Sequence, residues 1–137
     1  MDRYYKIAKC MDIWMSLREH GENINQYFKL RNIQKIGIYG YGLLGKHLVW
    51  EIENSNNTAH VEWILDKRAD AISIAKYAVY KPEQIQVISK PDIIVVSAIN
   101  DFEEIEAMLS SAVRVPVQSL ETIIKDCINR MQRREQV

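Results

Sequence analysis

The chain has 137 residues, 47% hydrophobic and 26% charged, with five glycines and three prolines; this is room for one domain and excludes collagen-like, disordered and low-complexity classes. Its 18 basic side chains equal its 18 acidic ones, so no net field draws it to nucleic acid or an anionic membrane, and neither is an expected partner. Cys10 and Cys127 stand far apart, with no CxxC and no grouping with histidine, and no signal-peptide pattern or bilayer-length apolar run occurs; a disulfide framework is excluded, no metal site is expected, and a cytoplasmic location follows.

Tyr4, Ile7, Met11, Trp14 and Met15, with Leu17, recur at helical spacing and predict an amphipathic helix over residues 2–19, ended by Gly21. Packing on its own sheet is the first use of this stripe, and a homodimer contact is the alternative. A short helix over residues 24–30 places Ile24, Tyr27 and Phe28 on one side, with Asn23 as its cap. Residues 1–32 therefore read as an α-hairpin extension, and residues 33–137 as the main unit. From residue 35 short apolar runs alternate with helical periods: a strand over 35–39, a helix over 43–54, a turn at Ser55-Asn56-Asn57 and a second strand over 61–65. A weak strand over 78–80 runs into Lys81-Pro82-Glu83, which opens a turn or a single helical turn ending near Ile85. Residues 92–99 form a continuous apolar strand, the pattern of a sheet covered on both faces. A helix over 101–110 follows, capped by Asn100 or Asp101, with Phe102, Ile105 and Leu109 inward. Residues 113–117 are a last strand, and 120–133 a closing helix that buries Leu120, Ile123, Ile124, Cys127 and Met131, before a tail over 130–137 that frays at its end. Parallel neighbours joined by right-handed crossovers give a Rossmann-like α/β fold, with about five parallel strands in the order 3-2-1-4-5 and helices on both faces.

The sharpest signal is Lys35-Ile-Gly-Ile-Tyr-Gly-Tyr-Gly-Leu-Leu-Gly-Lys-His-Leu48, where Gly40, Gly42 and Gly45 spell GxGxxG between a strand and a helix. Gly40 permits the tight turn, Gly42 lets backbone approach a diphosphate, and Gly45 lets helix pack on strand, while the amides of Tyr41, Leu43 and Leu44 lie along the same turn. Asp66 ends the second strand, where a carboxylate accepts from a ribose diol. Lys67 and Arg68 beside it could admit a 2′-phosphate, but Asp66 would repel one, so NAD is favoured over NADP. Ser97 and Asn100 close the fourth strand at the ligand-binding edge of such sheets; contact with the nucleotide and helix capping are the two readings.

Other chemistry is weakly supported. Gly40 to Lys46 fits a P-loop spacing, but His47 stands where the magnesium-holding Ser or Thr belongs. The neighbourhood Ile38-Tyr39 lacks the acid expected at the first strand's end in an S-adenosylmethionine site. Tyr77 and Lys81 match YxxxK, but Pro82 opposes the helix that would align them. His20, His47 and His60 have no partner spacing. No catalytic residue can be named, and the sequence leaves open whether the chain is an enzyme.

The segments Ile38-Tyr-Gly-Tyr-Gly-Leu-Leu-Gly45, Trp63-Ile-Leu-Asp66, Ala78-Val-Tyr-Lys-Pro-Glu-Gln-Ile85 and Asp92-Ile-Ile-Val-Val-Ser97 resemble, over residues 34–119, small nucleotide-binding domains of bacterial surface-polysaccharide biosynthesis proteins. These include N-terminal domains of sugar-nucleotide dehydratases and sugar acyltransferases. The resemblance implies a nucleotide held by Gly40, Gly42, Gly45 and Asp66, with NAD or NADP first and a UDP-sugar or coenzyme A as alternatives. It implies a binding module acting beside a surface-glycan biosynthesis enzyme. The alternatives are a small oxidoreductase or sugar-nucleotide-modifying enzyme completed by a second copy, and a scaffold subunit with a vestigial site.

Overall fold

The computed structural model describes residues 2–55, 58–74 and 76–136; Asn56 and Asn57 of the expected turn, and Val137 of the expected tail, lie outside them. Five strands, β1 (Lys35–Tyr39), β2 (His60–Leu65), β3 (Val79–Tyr80), β4 (Ile93–Val96) and β5 (Val117–Ser119), form one parallel sheet in the order β3-β2-β1-β4-β5. The connectivity reverses direction between β1 and β4, so the carboxyl ends of those two strands open a crevice.

Alternation along the central strands sends residues to two cores. Ile36 and Ile38 of β1, with Ile93 and Val95 of β4, face the larger one, where α1 (Arg3–Glu19), α2 (Asn25–Leu30), α3 (Leu43–Glu53) and α5 (Leu120–Glu135) pack. Tyr39, Ile94 and Val96 face the other, covered by α4 (Phe102–Ala112) through Ile105 and Leu109. Trp63 and Leu65 of β2 join this second core, whereas Val61 and Ile64 join the first, because a register shift opposite Ile36 and Gly37 inserts an extra residue. The ring of Trp63 covers Gly37, where a Cβ would stand 2.6 Å from it. Gly37 is thus a steric partner of Trp63, a role its place in the strand did not disclose.

The helical hairpin follows from local chemistry. Asp2 accepts from the amide of Tyr4 at 2.9 Å and caps α1. Gly21, at φ 74°, closes the helix, with Glu22 N donating to Leu17 O and Gly21 N to Arg18 O. Cys10, Trp14 and Leu17 face the core, but Tyr4 and Met15 are 73% and 56% exposed. The expected stripe was therefore too wide: Met15, next to Trp14, is turned about 100° away from it. The cap position of α2 falls to Ile24, which makes no side-chain cap bond, rather than to the expected Asn23 one residue earlier, whose Oδ1 accepts from Asn25 N at 2.9 Å.

The clamp between hairpin and sheet is Glu51, a charged residue of α3 with only 4% of its surface exposed. Its carboxylate accepts from Trp14 Nε1 at 3.2 and 3.1 Å, Arg18 Nε at 2.6 Å and Ile24 N at 2.9 Å. Its backbone oxygen accepts from Asn25 Nδ2. One side chain thus joins α1, the start of α2 and α3.

Three expectations need correction. The apolar run over 92–99 is strand only to Val96: Ser97 N still donates to Tyr39 O at 2.9 Å, but β1 gives way to the glycine turn after Tyr39, and Ile99–Asp101 form a 3-10 turn. The last strand is Val117–Ser119 rather than 113–117, since Pro116 has no N–H for a ladder and only its carbonyl bonds across, to Ile94 N. The closing helix runs past the expected 133: α5 extends to Glu135, and Arg134 reaches Glu22 at 2.7 Å.

Candidate functional site

The carboxyl ends of β1, β2 and β4 surround the glycine-rich turn. Gly40 has φ 101°, a left-handed conformation, and a Cβ on it would lie 2.8 Å from Ser97 Oγ. At Gly45 a Cβ would collide with the carbonyl of Gly40, so α3 can start against the turn only without a side chain there. Gly42, the residue before α3, faces open space. Among the described residues, the amides of Gly42, Leu43, Leu44 and Gly45 donate to no group of the chain, and the first helical bond is Lys46 N to Gly42 O. Such unpaired amides at a helix start are what an anion engages. Leu44 is buried beneath them, while Leu43 is 53% exposed.

Asp66 sits at the tip of β2 with 6% exposure. Its Oδ2 accepts from Tyr41 N at 2.8 Å, and its Oδ1 from Arg68 N at 2.8 Å and Arg68 Nε at 3.4 Å. The carboxylate thereby ties the glycine turn to the end of β2, a role that sequence spacing alone did not reveal. Unused lone pairs remain on its oxygens for a hydroxyl. Lys67 is exposed on the rim.

Ser97 and Asn100 stand at this edge, and neither caps α4. The Ser97 hydroxyl is within hydrogen-bond distance of two carbonyls, Gly40 O at 2.8 Å and Tyr39 O at 3.1 Å, which fixes the turn from beneath. Asn100 Nδ2 donates to Arg3 O at 3.3 Å and so holds α1. Asp101 occupies the position before α4 but makes no side-chain cap bond; it binds the Arg3 guanidinium with both oxygens, at 3.2 and 3.0 Å.

These residues line a cleft of two connected lobes. The larger, about 640 Å³, is bounded by Tyr39, Asp66, Lys67, Ala98 and the α4 face of Ile105 and Met108. The smaller, about 190 Å³, holds Gly42, Leu43, Ser97 and Asn100. Arg3, Gly40, Asp66, Arg68 and Ala98 border both. Burial pushes the Tyr39 phenol above its ordinary value, with Asp66 nearby adding to the effect, so it stays protonated. The ion pair holds the Arg3 guanidinium up and the Asp101 carboxyl down. None of these shifts brings a group toward neutral pH, where general acid and base catalysis operates.

The other motifs disperse. Tyr77 is hydrogen-bonded to Glu53, and burial with that bond pushes its phenol far up, while Lys81 pairs with Asp70 at 3.0 Å; the YxxxK residues serve different partners. His47 packs edge-on against Trp14, His20 Nδ1 meets Ser16 O, and His60 lies 3.2 Å from Glu62. Among the described residues no three His, Cys, Asp or Glu side chains gather as a metal site, and no helix is long and apolar enough to cross a membrane.

The strand order, the crossovers and the glycine turn at the reversal point define a Rossmann-like α/β protein. Comparison with solved structures agrees: the chain is similar to RSP, a Rex-family repressor, with a TM-score of 0.54 and 16% identity over 82% of this chain and 66% of that one. No family model matches the sequence, and no curated protein matches it. That neighbour is a repressor, so the expectation from net charge that nucleic acid is no partner gains no support from the likeness.

Proposed function

We propose that the chain is a nucleotide-binding module whose turn between β1 and α3 holds the ligand's diphosphate. The observation that carries this reading is the row of unpaired amides from Gly42 to Gly45 beside the open side of Gly42, on the wall of the cleft. In this reading Gly40, Tyr41, Gly42, Leu43, Leu44 and Gly45 supply backbone, Asp66 takes the ribose diol, Lys67 adds charge at the rim, and Ser97 and Asn100 hold the walls. NAD fits better than NADP, because a 2′-phosphate would meet the buried Asp66 carboxylate. A UDP-sugar or coenzyme A presents a diphosphate to the same amides and is the alternative. Work beside an enzyme of surface-glycan assembly rests on the sequence resemblance alone.

Titration of the protein with NADH, NADPH, UDP-glucose and coenzyme A, read by calorimetry and by thermal shift, tests the reading. At least one is expected to bind and raise Tm. The variant Gly42→Val, which places a branched side chain on the open side of the turn, is expected to stay folded and lose that ligand; undiminished binding would reject the site.

A further inference from the structure

We propose that Arg3, on the first turn of α1, is a phosphate ligand of this nucleotide site, and that Asp101 is its resting partner, exchanged for the ligand's anion on binding. The inference rests on the nucleotide reading and extends the site to a helix outside the sheet and its crossovers.

The small lobe against the α3 amides is bordered by two cationic side chains, Arg3 and Arg68. Arg68 is engaged by Asp66, the buried carboxylate that also fixes the glycine turn. Both guanidinium groups are solvent-exposed, but Arg68 leaving would strip a buried carboxylate of its cation, whereas Arg3 leaves one that water already reaches. The Arg3 pair with Asp101 is solvent-exposed, with 66% and 43% of the two side chains accessible, and such pairs add little net stability in water. A guanidinium released from one planar carboxylate can bind phosphate oxygens through the same fork of donors. Asp101 is then left at the rim in water, at no burial cost.

The backbone of Arg3 does not depend on that ion pair. Asn100 Nδ2 holds Arg3 O at 3.3 Å, and Lys6 Nζ reaches Ile99 O at 3.4 Å, so the first turn of α1 is docked on the connection between β4 and α4 by two other bonds. The side chain can swing while its anchor stays. Arg3, Lys67 and Arg68 face Asp66, Asp101 and Glu104 around the large lobe, so its formal charge is zero, and moving Arg3 from Asp101 to an incoming diphosphate sets a cation directly against the phosphates.

The test is titration of wild type, Arg3→Ala, Arg3→Lys and Asp101→Ala with NADH, UDP-glucose and coenzyme A, each at low and high salt, with circular dichroism as a check on folding. Arg3→Ala is expected to weaken the bound probe about tenfold or more and to flatten its salt dependence, with Arg3→Lys in between. Asp101→Ala, which breaks the same ion pair but frees the guanidinium, is expected to bind at least as tightly as wild type. Equal affinity in wild type and Arg3→Ala overturns the assignment, and so does a parallel loss in Arg3→Ala and Asp101→Ala, which would make the pair a brace for α1. In both cases binding to wild type leaves the nucleotide reading standing. A wild type that binds none of the three probes overturns that reading and this one together.

Discussion

Asp66 serves two neighbours at once. It accepts the amide of Tyr41 in the glycine turn and that of Arg68 beyond β2, while facing the cleft. Asp66→Ala should therefore act twice: loss of a charge-assisted hydrogen bond to a ribose hydroxyl weakens NADH by roughly 1.5–3 kcal/mol, and freeing the two amides lowers stability by about 1 kcal/mol or more. Calorimetry and denaturant titration on the same variant separate the two, and an unchanged affinity would leave Asp66 a purely structural tie. Sequence spacing placed the carboxylate at the end of β2, since a strand's length and the helix before it set that point within a residue or two. It could not show the bond to Tyr41, which exists only once two separate turns have been brought side by side. The same holds for Gly37: its neighbour Trp63 lies on another strand, and the register shift that puts the ring over it is a property of the pairing.

The elements are joined by buried or well-paired carboxylates. Glu51 binds α1, the start of α2 and α3, and its removal leaves Trp14 Nε1 and Ile24 N without a partner in a closed site. Glu51→Ala is expected to cost about 3 kcal/mol, since each orphaned buried donor costs roughly 1–3 kcal/mol, and hydrogen exchange in α1 and α2 should rise first. Asp92 secures β1 beside β4 by accepting from Lys35 N at 2.9 Å and Gln34 N at 3.0 Å. Those amides hold its carboxyl below the ordinary 3.8. The stabilisation is complete above the unfolded-state value and is lost as pH falls through the lower folded one. The stability gap between wild type and Asp92→Ala, measured by urea unfolding from pH 6 to pH 2.5, should shrink below about pH 4; a gap independent of pH would show that these bonds carry no linkage.

At the scale of the molecule, α1 and α5 close the larger core over the sheet and bury one cysteine each. Burial pushes both thiols, Cys10 and Cys127, up to about 11. A thiol reagent at pH 8 is expected to label neither in the native state except through opening of the helices, at rates that track denaturant concentration; immediate labelling would contradict the packing. A nucleotide that bridges the α3 amides and Arg3 would slow labelling of Cys10, because it joins α1 to the sheet.

The alternation of strands and helices pointed to the strand order, and the sequence alone determined the glycine turn and the inward faces of α4 and α5. Each is written in local periodicity or in a residue type that a single backbone conformation demands, as at Gly40 and Gly45. Where β5 begins, which side of α1 stays wet, and the convergence of Arg3, Asp66 and Asp101 on one cleft were decided only in three dimensions. Those outcomes depend on hydrogen bonds and contacts between residues as far apart as Arg3 and Asp101, and their partners become neighbours only when the sheet has closed.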